Sequence, residues 1–235
     1  MSRSLNPRQI QANLAKDSNR KGPTDRYSSF DYCFNYFQAI RESGRLATLL
    51  DGASLQISCL QLGFYLASWG MMRGLTPLQQ KSSRALAPVV RTIVTADEKL
   101  WMTDADDYLD STSRAAVLEF ADSLRVTLQR SLRNADSEER APTDTLISKI
   151  MLGTMGCVPA FDAFFCQGFR THRLSDRSLQ DLGTFYAENR KLIDGSRVCT
   201  FDFDTQKRTR RRHTRAKVID TIFWVEGSKT GRANR

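Results

Sequence analysis

Apolar residues in the first third of the chain recur at the three- and four-residue spacing of an amphipathic helix. Tyr27, Phe30 and Phe34 belong to one such stripe, and Gly44 stands where this helix is expected to end. The segment 54–72 is apolar on nearly every side, which predicts a central and largely buried helix. This part of the chain is therefore predicted to be helical.

Further helices are predicted wherever a capping residue precedes an amphipathic stretch. They cover 76–94, with a bend at Pro88, and 113–133, 142–152, 160–169, 175–191 and 217–226. Strand-like alternation is seen at 198–203, followed by a basic run that is expected to be a loop. The pattern predicts an all-α fold with a helical core in one or two lobes around a cleft, and at most a small β-hairpin near residue 200.

The two ends of the chain are more polar than the middle. Residues 1–25 are expected to form a flexible basic arm, 26–227 a single helical domain, and 228–235 a disordered tail. No stretch is long and apolar enough to cross a bilayer, and the first residues lack the apolar region of a signal peptide. These features predict a cytoplasmic protein.

The charge balance changes the range of expected partners. Lys and Arg number 35 against 26 Asp and Glu, so the formal charge is +9 and the pI is about 9.6. A surplus of this size favours a polyanion as partner, either nucleic acid or an acidic membrane surface. An ordinary basic protein without such a partner is the alternative.

Cysteine and histidine usage argues against disulfides and metal. The chain has five cysteines, an odd number, without a C-x-x-C pair, and most have apolar neighbours. This favours reduced, buried thiols. With two histidines, His172 and His213, a zinc site is not expected, and the sequence implies no metal and no cofactor.

One segment carries candidate chemistry: the stretch 149–162, with the sequence KIMLGTMGCVPAFD. A helix end is followed by a glycine-containing break, then by Val158 and Pro159, and then by Asp162 in the predicted first turn of the next helix. The helix dipole there favours the ionised carboxylate. A carboxylate among apolar neighbours can serve as a catalytic base, although Asp162 can equally be a helix-capping residue.

This arrangement resembles the core of the helix-hairpin-helix (HhH-GPD) DNA glycosylases. In that superfamily a helix, a glycine-containing link and a V-P-x-D or V-x-D segment present an essential Asp. Val158, Pro159 and Asp162 fit this pattern with one extra residue before the Asp, over the region 142–170. The resemblance implies that Asp162 stabilises the positive charge on the deoxyribose and orients or deprotonates the attacking water.

The chain departs from the family at the DNA-gripping hairpin. Residues 142–145 occupy the place of the Gly-x-Gly hairpin, and no Lys stands at its end. Lys149 lies about one turn later and is the candidate lyase nucleophile. The resemblance therefore favours a monofunctional glycosylase that uses water.

A second similarity concerns the segment 62–74. Small bacterial proteins with an L-x-F-Y-L-A-S-W-G-M-x-R-G segment include glycosylases that attack modified bases in phage DNA, so an antiviral role is one reading. In base excision the target base is flipped into a pocket. Tyr65, Trp69 and Phe161 are candidates for that pocket, with core packing as the alternative.

The expected partner is double-stranded DNA, held by backbone contacts and one flipped base, without a membrane. Arg73 and a dense basic run are the candidate phosphate contacts, and a solvated loop is the alternative. The run contains Lys207, Arg208, Arg210, Arg211, Arg212, Arg215 and Lys217.

Two other function classes remain open. Arg208 and His213 match the R-x4-H arrangement of HEPN-type ribonucleases, which are also all-α, although that motif should lie on a helix. The other class is a non-catalytic nucleic-acid-binding module. The sequence leaves the recognised base and the oligomeric state open.

Overall fold

The computed structural model describes residues 5–18, 22–74, 76–133 and 141–233. Within these ranges the chain forms ten α-helices and one two-stranded sheet, which confirms the predicted all-α fold with a small hairpin. The elements are α1 (Pro7–Ser18), α2 (Ser28–Glu42), α3 (Gly52–Ser68), α4 (Ala87–Val94), α5 (Glu98–Met102), α6 (Ser111–Ser131), α7 (Asp144–Thr154), α8 (Ala163–Phe169), α9 (Asp176–Gly195), β1 (Cys199–Phe201), β2 (Arg208–Arg212) and α10 (Arg215–Ala233).

Helix α7 lies at the centre of the core. All residues from Leu146 to Thr154 are buried, including the polar Lys149. Helices α2, α3 and α6 contact it. Gly153 allows the ring of Tyr65 on α3 to lie against α7, because a Cβ at Gly153 would be 2.3 Å from that ring. The central position of α7 brings the predicted motif into the interior of the molecule.

Helices α8 and α10 cross at close range. A Cβ at Gly168 would lie 2.0 Å from the carbonyl oxygen of Phe223, and one at Gly227 would lie 1.9 Å from that of Phe164. The two glycines let the backbones approach each other directly. This crossing places the start of α8 against the second half of α10, and the loop before α8, which carries Asp162, contacts Asp220 on the same helix.

Several helix starts are confirmed. Thr143 caps α7 by accepting a hydrogen bond from the Leu146 N–H, and Ser175 caps α9 together with Ser178. The single helix predicted over 76–94 is wrong. Two 3₁₀ turns, Pro77–Gln80 and Ser83–Leu86, precede α4. Pro88 lies at the beginning of α4 and starts the helix, where its missing N–H costs nothing.

The basic run after β1 is not the predicted loop. Residues Arg208–Arg212 form β2, which pairs antiparallel with β1, and Arg215 begins α10. Exposed and half-buried residues alternate along β2, as expected for an edge strand with one face on the protein. The run is therefore a strand followed by the first turn of a helix.

Helices occupy the described parts of both terminal segments. Residues Pro7–Ser18 form α1, which packs on α10 with Ile10 and Asn13 fully buried. The Asn13 amide donates hydrogen bonds to the Ile222 carbonyl and to the Glu226 carboxylate, a contact between distant parts of the chain that local sequence does not reveal. Helix α10 continues to Ala233, through most of the predicted tail. Residues 1–4, 19–21 and 234–235 lie outside the described residues.

Candidate functional site: a buried Lys–Asp cluster

Asp162 lies immediately before α8 and acts as its N-cap. Its Oδ1 accepts a hydrogen bond from the Phe165 N–H at 3.0 Å, and its Oδ2 lies 3.4 Å from the Nζ of Lys149. The Asp162 side chain is 14% exposed and that of Lys149 only 5%. Sequence reasoning placed Asp162 in the first turn, and the structure places it one residue earlier. The cap and the ion pair use different carboxylate oxygens.

Lys149 also connects this pair to the end of α3. Its ammonium group donates a hydrogen bond to the Trp69 carbonyl oxygen at 2.8 Å and lies 5.9 Å from the centre of the Trp69 ring. Trp69 is the C-cap residue of α3. The structure thus brings together Asp162, Lys149 and Trp69, three of the residues singled out from the sequence.

A second ion pair completes the cluster. The Nζ of Lys217 lies 2.6 Å from Oδ2 of Asp220, and Oδ1 of Asp220 accepts a hydrogen bond from the Ala160 N–H. Both side chains are only 4% exposed. The Lys217 ammonium lies 4.8 Å from the centre of the Trp69 ring, within cation–π distance. We call Lys149, Asp162, Lys217 and Asp220 the Lys–Asp cluster.

Sequence reasoning missed Asp220 and misassigned Lys217 to a basic loop. The sequence did contain a signal for this pair: Lys217 and Asp220 are three residues apart in a largely apolar helix. Charged side chains on the apolar face of a helix need a partner of opposite charge. Which other charges the pair meets could not be predicted, because α7, α8 and α10 come together only in the fold.

Burial dominates the electrostatics of Asp162. It raises the pKa of the carboxyl above the ordinary value, and the negative charge of Asp220 adds to this, whereas Lys149 and the Phe165 N–H oppose it. At this helix start, burial therefore outweighs the groups that favour the ionised form. A raised pKa makes the carboxylate a better proton acceptor near neutral pH.

Burial acts on Lys149 in the opposite direction. It lowers the pKa of the ammonium group, with a smaller contribution from Lys217, and the carboxylates of Asp162 and Asp220 oppose the shift. The two pKa values are thus moved towards each other. A proton passes between an amine and a carboxyl group more easily in such a pair than in water.

Two of the three predicted base-pocket residues are core residues. Tyr65 and Phe161 are buried, Tyr65 against Gly153 and Phe161 against Phe165. Neither offers an open ring face in this conformation. Trp69 is half-buried, contacts Tyr27 edge-on, and its indole Nε1 has no hydrogen-bond partner among the described residues. Trp69 is therefore the one of the three that reaches the surface beside the cluster.

The predicted DNA-contacting cations are divided by the fold. Four are exposed: Lys207, Arg208, Arg210 and Arg212. Arg211 pairs with Glu42, and Arg215 with Asp194, Asp104 and Asp106. With Lys217 buried, the free positive charge of the run lies on β2 and the turn before it. Arg73 is exposed, and its guanidinium folds over Gly70.

The arrangement of Arg208 and His213 does not fit a ribonuclease site. Arg208 lies on a strand and stacks on the ring of Phe201 at 3.7 Å. His213 is buried and its Nε2 lies 2.7 Å from Oδ1 of Asp31, which is also buried and accepts the Phe201 N–H. The histidine therefore fixes the hairpin to α2, and a phosphate cannot reach it in this conformation.

A cavity of about 730 Å³ lies between the start of α2, the outer face of α3 and the hairpin turn. Neither Asp162 nor Lys149 lines it. This cavity is therefore separate from the Lys–Asp cluster.

The cysteines of the described residues are all free thiols, with Cys33, Cys59 and Cys157 buried. Burial raises the pKa of Cys157 to about 12, so this thiol is inert at neutral pH. The described ranges contain no group of three or more His, Cys, Asp or Glu side chains that could hold a metal ion. Likewise, among the helices described above, none has the length and apolar character needed to cross a membrane.

Comparison of the chain with models of protein families, with curated proteins and with solved structures finds no match. The function of the protein must therefore be inferred from the geometry of the site.

Proposed function

We propose that the protein is a DNA glycosylase that hydrolyses the N-glycosidic bond of a damaged or modified base. The observation that carries the proposal is the contact between Asp162 and Lys149. A carboxylate and an amine lie 3.4 Å apart at a helix start, largely buried but open to the surface on the Asp162 side. Positively charged strand residues elsewhere on the molecule supply the affinity for a polyanion.

The chemistry required is the replacement of a base by water at C1′ of a deoxyribose. The C1′–N bond breaks, and the base leaves with the bonding electrons and takes up a proton from solvent. The carboxylate of Asp162 stabilises the positive charge that develops on the sugar, as a fixed negative charge in a poorly solvated site does effectively. Water then bonds to C1′, and Asp162 accepts the proton that it loses.

Lys149 has two possible parts in this reaction. As an ammonium ion it holds the Asp162 carboxylate in place before substrate binds. As a free amine, which its lowered pKa favours, it can attack C1′ itself: the C1′–N bond to the base breaks, the base leaves with the bonding electrons, and the new C1′ ammonium loses a proton to Asp162. Opening of the sugar ring, with a proton taken up by O4′, then gives the imine that borohydride reduces. The sequence favours the water route, and the proximity of the amine supports testing both.

A nucleotide must enter beside Trp69 to reach Asp162. Because Tyr65 and Phe161 are closed into the core, the entry requires side chains near Trp69 to move on binding, as happens in many enzymes that close around a substrate. The unpartnered Nε1 of Trp69 is a hydrogen-bond donor that such a movement would make available to the substrate.

The test is the Asp162→Asn variant on a panel of duplexes with oxidised, alkylated, deaminated and hypermodified bases, including DNA of phages with modified bases. Asn is as good an N-cap as Asp, so α8 is preserved. We expect the wild type to leave alkali-labile abasic sites on at least one duplex, and the variant to lose this activity by about 100-fold or more. Borohydride trapping of a covalent adduct that Lys149→Gln abolishes would identify the amine route.

Asp110→Asn is the matched control, because Asp110 caps α6 in the same way, is exposed and lies outside the Lys–Asp cluster. It should keep full activity. If the wild type makes no abasic sites on any duplex, or if Asp162→Asn remains as active as Asp110→Asn, the proposal is wrong.

The exposed cations of β2 favour a second candidate, a nucleic-acid-binding module without catalysis. It would shift DNA in a gel, in both the wild type and Asp162→Asn, and release no base.

A further inference from the structure

Two phenylalanines are exposed to an unusual extent on neighbouring elements. Phe64 on α3 is 69% exposed, and Phe203 in the turn after β1 is 70% exposed. Both line the cavity of about 730 Å³, together with Ile57, Leu60 and Tyr32. We call this cavity the α3–hairpin groove. Its volume falls within the range of about 300–1,000 Å³ that is typical of ligand sites.

Helix α3 has two apolar faces, and the fold uses one of them. Leu62, Tyr65 and Leu66 pack into the core, whereas Ile57, Leu60 and Phe64 lie on the outer face at the spacing of a helical stripe. A contiguous exposed apolar patch on a folded domain marks a binding surface. The second face of α3 is therefore available to a partner.

The ring of Phe203 is held in position from one side. Tyr32 on α2 contacts it in a T-shaped arrangement, with ring centres 5.1 Å apart. The turn itself is fixed by Asp202, whose carboxylate accepts hydrogen bonds from the N–H and hydroxyl of Thr205. A supported and exposed aromatic ring is a surface on which a flat apolar group can stack.

The charges near the groove select among flat apolar partners. Arg26 lines it, and four exposed cations of the hairpin, which do not line it, follow the lining residue Gln206 in the chain: Lys207, Arg208, Arg210 and Arg212. The acidic groups nearby are Asp25 in the groove and Asp202 and Asp204 in the turn. Arg26 and Asp25 balance within the groove, and the surplus of positive charge lies on the hairpin beside it, so a partner that combines flat apolar rings with anionic groups is favoured.

We propose that the α3–hairpin groove binds single-stranded DNA, with unpaired bases stacked on Phe203 and Phe64 and phosphates held by the cations of β2. In a duplex both faces of each base are covered by the neighbouring base pairs. In a single strand a base can turn outward, and its free face can then stack on an aromatic side chain in an open groove. The groove is separate from the Lys–Asp cluster, and this proposal does not depend on glycosylase activity.

The test measures anisotropy of a fluorescein-labelled oligothymidine with the full chain, at low salt. A strand of equal length made of abasic residues carries the same phosphates without bases. Base stacking predicts that Phe203→Ala and Phe64→Ala weaken binding of oligothymidine about ten-fold or more. Neither should change binding of the abasic strand. Because both side chains are largely exposed, the variants are expected to fold, and their thermal unfolding is compared with that of the wild type.

Leu109→Ala is the matched control, since Leu109 is exposed and apolar but does not line the groove. It should bind oligothymidine like the wild type. Phe203→Trp should restore binding, and its fluorescence should be quenched by oligothymidine and not by the abasic strand.

Equal affinities for oligothymidine in Phe203→Ala and Leu109→Ala would overturn the proposal. It would also be overturned if Phe203→Ala lowered the affinity for both strands alike. A third contradicting result is a wild-type dimer in sedimentation that Phe203→Ala dissociates without loss of DNA affinity, because the groove would then serve a second copy of the chain.

Discussion

At the scale of single residues, burial decides the behaviour of the candidate site. Asp162 has the sequence position of a helix cap, and its carboxylate does cap α8. The same carboxylate is in contact with Lys149, and its pKa is raised mainly because the site is poorly solvated. Capping alone would leave an exposed carboxylate with no raised pKa. The combination is what makes Asp162 a candidate catalytic group.

The raised pKa predicts a pH dependence of folding stability. The folded state holds the Asp162 proton to higher pH than the unfolded chain, whose carboxyl titrates near the ordinary value of 3.8. Folded molecules therefore bind more protons between these two values, and the contribution of Asp162 to the free energy of unfolding falls as pH rises through that interval. In urea unfolding, the free energy of unfolding of the wild type minus that of Asp162→Asn should therefore decrease as the pH rises.

The measurement is restricted to acid pH, where Lys149 remains protonated in both proteins. Asp110→Asn serves as the comparison, because the pKa of Asp110 is lowered by its hydrogen bonds to Ser113. The free energy of unfolding of the wild type minus that of Asp110→Asn should increase with pH, opposite to the trend for Asp162→Asn. A flat difference for Asp162→Asn would contradict the raised pKa.

At the scale of elements, two of the contacts that attach the hairpin to α2 differ in their burial. The buried contact joins Asp31 to His213 and to the Phe201 N–H. The exposed contact is the ion pair of Arg211 with Glu42. Since both connect the same two elements, removing each in turn tests whether burial determines how much a contact contributes to the free energy of unfolding.

Asp31→Ala is expected to destabilise the protein strongly. It leaves the His213 ring nitrogen and the Phe201 N–H without their acceptor in a dry site, and each such group costs about 1–3 kcal/mol. Glu42→Ala removes a solvated ion pair and should cost no more than about 1 kcal/mol. Urea unfolding measures the two free energies, and hydrogen exchange should show the hairpin opening earlier in Asp31→Ala. If the two variants lose the same free energy of unfolding, burial does not determine how strongly these contacts hold the hairpin to α2.

At the scale of the whole molecule, the net charge of +9 is distributed unevenly. Buried and paired cations, such as Lys149, Lys217 and Arg215, contribute to folding, whereas those of β2 remain exposed. The total charge therefore overstates the number of groups available to a polyanion, and the hairpin is the part of the described surface where they concentrate.

This distribution predicts the salt dependence of DNA binding. Neutralising an exposed cation that contacts a phosphate should lower the slope of log K against log salt by about 0.9. The triple change of Lys207, Arg210 and Arg212 to Gln should therefore reduce the slope by about 2–3, measured by anisotropy over a salt titration. Arg177→Gln, which neutralises an exposed Arg of α9 paired with Asp181, should leave the slope unchanged. An unchanged slope in the triple variant would remove the hairpin from the DNA-binding surface.

The sequence by itself determined the helical class, several helix starts and the position of Asp162 at the start of a helix. These features are local, because an amphipathic repeat and a capping residue such as Thr143 or Ser175 act within a few residues of the chain. The sequence also determined the excess of positive charge, since composition does not depend on folding.

Only the tertiary structure decided which polar groups meet in the interior. The Lys149 ammonium reaches the Trp69 carbonyl across 80 positions, and the Asp220 carboxylate reaches the Ala160 N–H across 60. The burial of Tyr65 against Gly153 likewise depends on how α3 packs on α7. Such contacts depend on how helices that are distant in the chain pack together. The hydrophobic periodicity of a single helix does not predict which other helices it packs against.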